Sequence, residues 1–166
     1  MQRPAAVAGS VIFFLVAPGT VAGLVPWWIS RWRMEPPFLG FASVRLLGII
    51  LIAAGLPMLL DSFTRFALQG LGTPAPVAPP ERLVVTGLYR YVRNPMYVGI
   101  MGVVMGQAVL LGDLRVLEYG VIVWLVFHLW VLAYEEPALR AKFGAEYERY
   151  CANVGRWIPR MGPWPG

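Results

Sequence analysis

Apolar residues along this chain are gathered into four long runs, which are separated by shorter polar or proline-rich stretches. The runs cover residues 5–28, 38–60, 95–112 and 116–134. A helix that crosses a bilayer needs about 20 predominantly apolar residues, and each run meets or approaches this length. The pattern predicts an all-α, polytopic membrane protein with about four transmembrane helices, forming a single domain over residues 1–166.

Proline, glycine and arginine mark special points within the first two runs. Pro18 and Gly19 predict a kink in the first helix. We interpret this helix as a retained span, because cleavage signals of a signal peptide are poor after it. Arg45, near the start of the second run, is expected to extend its charged end toward the membrane interface.

Two polar segments connect or follow the apolar runs. LGTPAPVAPPERLVVTG, between the second and third runs, is too rich in proline for a helix and predicts an extended loop. The segment 135–166 begins with Glu-Glu-Pro, which suits the first turn of a helix. We expect a helical, cytoplasmic C-terminal segment that is interrupted at Gly144 and ends near Gly155.

The composition supports a membrane protein. Hydrophobic residues make up 58% of the chain and charged residues only 14%, against about 25% charged in a typical soluble domain. One cysteine and one histidine exclude a disulfide within the chain and argue against a Cys/His metal site, so no metal is predicted. A net charge of +5 then indicates contact with anionic membrane lipids, not with nucleic acid.

The distribution of lysine and arginine predicts the orientation in the membrane. With four spans, the N-terminus, the second loop and the C-terminal segment share one side, which carries ten basic residues. The other side carries three, namely Arg31, Arg33 and Arg115. Because basic residues favour the cytoplasmic side, both termini of this multi-pass cell-membrane protein are expected in the cytoplasm.

Two motifs flank the third and fourth runs on that same side. GLYRYVRNPMYVG occupies residues 87–99, and EEPALRAKFGAEYERYCANVGRWIP occupies residues 135–159. The short connection between the two runs makes them neighbours, so the motifs can meet over the cytoplasmic end of a helix pair. A polar site on apolar helices suits an enzyme that joins a water-soluble cofactor to a lipophilic small molecule or lipid.

The two motifs resemble those of the isoprenylcysteine carboxyl methyltransferase family and its phospholipid methyltransferase relatives. The pattern is R-[HN]-P-x-Y-x-G, then E-E-x-x-L-x-x-x-F-G-x-x-Y-x-x-Y, then a short basic stretch ending in proline, over about residues 82–160. This family consists of membrane helices and uses S-adenosylmethionine. The resemblance implies a cofactor pocket built from Arg93, Asn94, Tyr97, Glu135, Glu136, Arg140, Tyr147 and Tyr150.

The chemistry of methyl transfer agrees with these residue types. Displacement at a sulfonium carbon needs an aligned acceptor more than it needs acid–base groups. Arg93 could bind the carboxylate of the cofactor, and Glu135 or Glu136 could bind its ammonium group. The ring faces of tyrosines could lie near its sulfonium. The chain has no G-x-G-x-x-G motif after a strand, so a soluble nucleotide-binding fold is not indicated.

Asn94 and Arg156 are the candidate catalytic residues. The family often has histidine where this chain has Asn94, which can donate hydrogen bonds but has no acid–base role. Some eukaryotic members carry arginine where Asn153 aligns, and Arg156 could replace it in positioning the carboxylate of an acceptor. The identity of the acceptor stays open among carboxylates, amines and thiols.

Structural interpretations compete with several of these assignments. Arg90 and Arg93 also fit a role as positive-inside anchors. The face formed by Gly99, Gly102 and Gly106 favours close helix packing, although a lipid groove is compatible with it. His128 is more simply interpreted as a buried, hydrogen-bonded histidine than as a functional one.

Two other functions remain compatible with the sequence. One is an NADPH-dependent membrane reductase of related architecture, although such reductases usually have more spans than this chain. The other is a non-catalytic membrane protein that binds lipid. Binding of the cofactor distinguishes these functions, and the sequence does not determine the oligomeric state.

Overall fold

The protein is helical throughout the part of the chain that its structure describes. The structure is a computed structural model, and it describes residue 12, residues 14–69 and residues 82–166, with side chains 66–69 excepted. Across these ranges there is no strand, so the predicted all-α class is confirmed there. The helices are α1 (Phe14–Ser30), α2 (Val44–Gln69), α3 (Pro95–Leu111), α4 (Leu114–Trp130) and α5 (Glu136–Asn153).

Helix α1 contains a widened turn where the sequence predicts a kink. A π-helical turn at Thr20–Leu24 follows Pro18 and Gly19 directly, and an ordinary helix resumes at Val25–Ser30. Proline lacks the N–H that would bond one turn back, so an irregular turn next to it is expected. The part of the first apolar run that precedes residue 12 lies outside the described residues, as does the proline-rich stretch 70–81.

Glycines bring α2 and α3 into direct backbone contact. A Cβ atom added at Gly48 would lie 2.5 Å from the backbone nitrogen of Leu110, and one added at Gly55 would lie 2.7 Å from the carbonyl oxygen of Gly99. On α3, a Cβ at Gly106 would approach the carbonyl oxygen of Gly48 to 2.8 Å. The preferred interpretation of the glycine face, close helix packing, is therefore confirmed, and α2 occupies the space that a lipid groove would need.

The ends of α2 differ from the predicted range 38–60. Residues Phe38–Gly40 form a separate short 3₁₀ turn in which Leu39 and Gly40 both have positive φ, so the helix starts later, at Val44. It also continues past the apolar run to Gln69. An Asp61–Arg65 ion pair one turn apart stabilises this polar extension, which hydrophobicity alone could not reveal.

Helix α4 continues directly into α5, so the two form one rod that is kinked within α5, instead of a span followed by a separate tail helix. A π-helical turn at Val131–Glu135 joins them. The predicted interruption at Gly144 is confirmed, because its φ of 50° and ψ of −125° are not helical. The rod ends at Asn153, close to the predicted end at Gly155.

Apolar side chains cover the outside of the two longest helices. Val44–Arg65 and Leu114–Asn153 are long and apolar enough to cross a membrane, with only 28% and 17% of their most apolar windows buried. The core helix of a soluble protein would be mostly buried, so these faces are consistent with a membrane protein. Helices α1 and α3 are apolar but shorter, and the four-span topology stays a prediction.

Candidate functional site

The chain beyond α5 runs back along the turn that precedes α3. We call residues 154–164 the C-terminal segment. Three backbone hydrogen bonds join this segment to the turn. Arg93 N donates to Gly155 O at 2.8 Å, Arg160 N donates to Tyr91 O at 2.9 Å, and Trp164 N donates to Arg90 O at 2.9 Å. The two sequence motifs therefore meet in space, at the N-terminal end of α3.

The most buried charged group at this junction is the carboxylate of Glu136, whose residue is 3% exposed. Arg156 donates to it from Nε to Oε1 at 2.6 Å and from Nη2 to Oε2 at 3.0 Å. Arg93 Nη1 lies 3.1 Å from Oε1, and Arg140 Nη2 lies 3.8 Å from Oε2. We call these four residues the Glu136 cluster. Arg140 also pairs with the exposed Glu148 at 2.8 Å, so the three guanidinium groups and these two carboxylates leave one net positive charge. The hydrogen bond to Glu136 raises the pKa of Arg156 above its ordinary value.

Within this cluster, Arg93 has a buried hydrogen-bond donor that is not used in the described part of the chain. Its side chain is only 10% exposed, and its Nη1 also approaches Cys151 Sγ at 2.7 Å. Its Nε is buried and has no hydrogen-bond partner among the described residues. Because an unpaired buried donor is costly, this atom marks a place where an acceptor group from a ligand would fit.

Glu135, the neighbour of Glu136, belongs to a different pair. The hydroxyl of Tyr97 donates to its Oε2 at 2.9 Å. The Tyr97 ring also packs against the rings of Phe127 and Trp157, with centroid distances of 4.7 Å and 6.4 Å. Consecutive helical residues point about 100° apart, so one carboxylate faces α3 and the other faces the arginines.

The remaining predicted site residues stabilise the junction in the structure. Asn94, which is 8% exposed, donates from Nδ2 to the carbonyl oxygen of Arg156 at 3.2 Å. Tyr150 donates from its hydroxyl to Tyr89 O at 2.7 Å, and Tyr147 is buried beside it in a small apolar cluster. The structure therefore brings all nine predicted residues to this junction. Asn94 and Tyr150 position its backbone through hydrogen bonds, and Tyr147 contributes apolar packing.

Two further contacts occur at the junction, of which the first was not anticipated from the sequence. Cys151, interpreted as incidental, contacts Arg93, and its position four residues after Tyr147 on the same helical face is the signal that could have placed it there. His128 accepts a hydrogen bond at Nδ1 from Trp157 Nε1 at 3.0 Å and stacks on Trp124. The predicted hydrogen bond of His128 is thus present, on a half-buried ring. No group of three potential metal ligands occurs in the described ranges.

The sequence profile of a family described as phospholipid methyltransferase matches residues 44–146, from α2 into α5. The chain belongs to the phospholipid methyltransferase family. The match contains Arg93, Tyr97, Glu135 and Glu136, whereas Arg156 lies beyond it. The resemblance inferred from the two motifs is therefore confirmed.

Three relatives of this family member carry the name isoprenylcysteine methyltransferase. The chain is 37% identical over 78 residues to protein-S-isoprenylcysteine O-methyltransferase of Schizosaccharomyces pombe, covering 46% of this chain and 33% of that protein. It is 34% identical over 80 residues to the probable protein-S-isoprenylcysteine O-methyltransferase of Oryza sativa subsp. indica, covering 48% and 41%. It is 31% identical over 80 residues to protein-S-isoprenylcysteine O-methyltransferase B of Arabidopsis thaliana, covering 48% and 40%. The matches thus span less than half of each relative, and together with the family they support a methyltransferase.

Proposed function

We propose that this phospholipid methyltransferase family member transfers a methyl group from S-adenosylmethionine to a small lipophilic acceptor at the cytoplasmic face of a membrane. The observation that carries the proposal is the Glu136 cluster. Side chains from two separated motifs converge there on the polar ends of apolar helices, next to the Tyr97–Glu135 pair.

The charges of the cluster suit the carboxylate of the cofactor. The surplus positive charge and the unpartnered Nε of Arg93 both favour an anionic group. Arg156 uses Nε and Nη2 on Glu136, and its Nη1 bonds to none of the described residues, so we assign this nitrogen to a ligand. Arg93 and Arg156 are therefore the residues that would hold this group.

The ammonium group of the cofactor suits Glu135 better than Glu136. The carboxylate of Glu136 is already engaged by arginines, whereas Glu135 receives one side-chain hydrogen bond from the described residues, at Oε2. Its Oε1 is the oxygen that a cation could approach. The sequence left the choice between the two glutamates open, and the geometry favours Glu135.

When bound, S-adenosylmethionine supplies an electrophilic methyl carbon, so the chain needs to bind and align its two ligands and exclude water. The rings of Tyr97, Phe127 and Trp157 provide an apolar aromatic wall beside Glu135. Asn94 holds the backbone of Arg156 and through it the position of the guanidinium group. No proton transfer by Asn94 is needed, which agrees with an amide in place of an imidazole.

The acceptor is proposed to arrive from the bilayer. Helix α2 fills the space beside Gly99 and Gly102, so the acceptor cannot enter through a groove at these glycines. The outer face of α4 carries exposed apolar side chains, including Leu125 and Leu129, and leads to Tyr97 through Phe127. Turnover should therefore rise with the alkyl length of acceptors that share one reactive group.

Calorimetry in neutral detergent with S-adenosylhomocysteine tests the proposal. Arg156→Gln is expected to weaken binding about tenfold, since one charge-assisted hydrogen bond is lost. Arg149→Gln is the matched control, because this replacement also removes one positive charge but lies at an exposed position on α5. Binding of NADPH instead would favour the reductase, and binding of neither would favour a non-catalytic protein.

A further inference from the structure

A second polar site lies on the other side of the turn that precedes α3. It is a cleft of about 590 Å³ between the later half of α2 and the 3₁₀ turn Gly87–Arg90. Ala54, Pro57 and Met58 form its floor, and Asp61, Arg65 and Arg90 form its rim. None of these residues belongs to the Glu136 cluster or to the Tyr97–Glu135 pair.

The walls of this cleft change from apolar to charged along a single face of α2. Ala54, Met58, Asp61 and Arg65 recur every three or four residues, so they lie above one another on the helix. The distance from the first to the last is about 16 Å at 1.5 Å per residue. Ala54 and Pro57 are exposed, so the apolar end of the cleft is open at the side of α2. The outer face of this helix is itself apolar, as a lipid-facing surface would be.

The rim carries more positive than negative charge. Arg65 donates from Nε to both oxygens of Asp61, at 2.9 Å and 2.8 Å. Its guanidinium group lies against Gly87, where a Cβ atom would overlap it, so Arg65 is held in place. Arg90 uses only Nε, which donates to Trp164 O at 2.6 Å. Its two terminal nitrogens bond to none of the described residues, which leaves one net positive charge and two N–H-bearing nitrogens at the rim.

We propose that this cleft binds the headgroup of an anionic membrane lipid, with the acyl chain lying along Ala54 and Pro57. The terminal nitrogens of an arginine match two oxygens of a phosphate group, and the apolar floor matches the first part of a hydrocarbon chain. The site goes beyond methyl transfer and does not depend on it. An anionic lipid bound here would bridge α2 and the turn that carries Arg93.

Photocrosslinking in phosphatidylcholine nanodiscs tests the proposal. The probe is a trace of phosphatidic acid with a photoreactive acyl chain, and crosslinks are expected on the α2 residues of the cleft floor. Unlabelled phosphatidic acid should compete with the probe, whereas inorganic phosphate, which has no tail, should not. Equal competition by inorganic phosphate would identify a free-anion site and overturn the proposal.

Three variants separate the cleft from general surface charge. Arg90→Gln is expected to lower the crosslinking yield about tenfold, since a charge-assisted contact is lost. Arg149→Gln removes one positive charge from exposed α5 and should leave the yield unchanged. Ala54→Trp fills the exposed floor without altering charge and should also lower the yield, which keeps the test decisive if Arg90→Gln unfolds. Equal yields in all four proteins, or an equal loss in Arg149→Gln, would contradict a specific site.

Discussion

Arg156 binds the buried carboxylate of Glu136 through two hydrogen bonds, from Nε to Oε1 at 2.6 Å and from Nη2 to Oε2 at 3.0 Å. This bidentate pairing joins the C-terminal segment to the start of α5. Arg93 reaches the same carboxylate from the turn before α3. Glu136 therefore acts as the common anchor of three chain segments, whereas its neighbour Glu135 pairs with Tyr97.

The replacement Glu136→Gln should destabilise the protein. It leaves the buried guanidinium of Arg93 without a carboxylate, and loss of one partner from a buried pair costs about 3 kcal/mol in the free energy of unfolding. Thermal unfolding in detergent would measure the loss. Glu148→Gln is the control, because Glu148 pairs with Arg140 at an exposed position and should have little effect. Equal melting temperatures for the two variants would refute the anchoring role.

The Tyr97–Glu135 hydrogen bond should contribute to binding of the cofactor. Tyr97→Phe and Glu135→Gln are each expected to weaken affinity for S-adenosylhomocysteine. Their coupling in a double-mutant cycle should be about 1.5 kcal/mol, since the bond involves a charged acceptor. Tyr119→Phe tests specificity, because it also removes a tyrosine hydroxyl, one that donates to Val21 O at 2.9 Å far from Glu135 along α4. Additive effects of the first two substitutions would show that the pair is not coupled.

The sequence predicts α3 closely because its end signals are local. Pro95 occupies the first turn, where its missing N–H is not needed, and Gly112 follows the last turn with a φ of 73°. The predicted range 95–112 thus agrees with Pro95–Leu111. The meeting of the two motifs also followed from residue order, since a short connection makes α3 and α4 neighbours.

The division of labour between Glu135 and Glu136 could not be read from the sequence. Which of two adjacent helical residues faces the arginines depends on the rotation of the α4–α5 rod about its axis. That rotation changes at the π-helical turn Val131–Glu135, and no pattern in the sequence predicts this turn.

Packing of α2 against α3 should be intolerant of a single methyl group. Gly48→Ala places a Cβ atom against the backbone of Leu110 and is expected to cost about 1–3 kcal/mol. Gly23→Ala, on α1, adds the same atom with nothing within 4 Å and should leave stability unchanged or slightly raised. Unfolding of both variants in detergent would measure the difference. Tolerance of alanine at Gly48 would show that the two helices are further apart than the structure indicates.

Cysteine labelling in intact cells should establish the predicted orientation with both termini in the cytoplasm. Leu39, between α1 and α2, is 84% exposed, and Met161, in the C-terminal segment, is fully exposed. In a Cys151→Ser background, an impermeant maleimide should modify Leu39→Cys and spare Met161→Cys. Permeabilised cells, in which both positions should react, provide the control. The opposite labelling pattern would place the Glu136 cluster on the outer side.

The Glu136 cluster also constrains the order of folding. It joins Arg93, which precedes α3, to Arg156, which follows α5, so its contacts are distant in the sequence. Such contacts form late, because the ends of the intervening chain must first be brought together. The α3–α4 hairpin can assemble beforehand from local contacts. Under the proposed function, binding of S-adenosylhomocysteine would report complete assembly, and a partly folded chain would not consume the methyl donor.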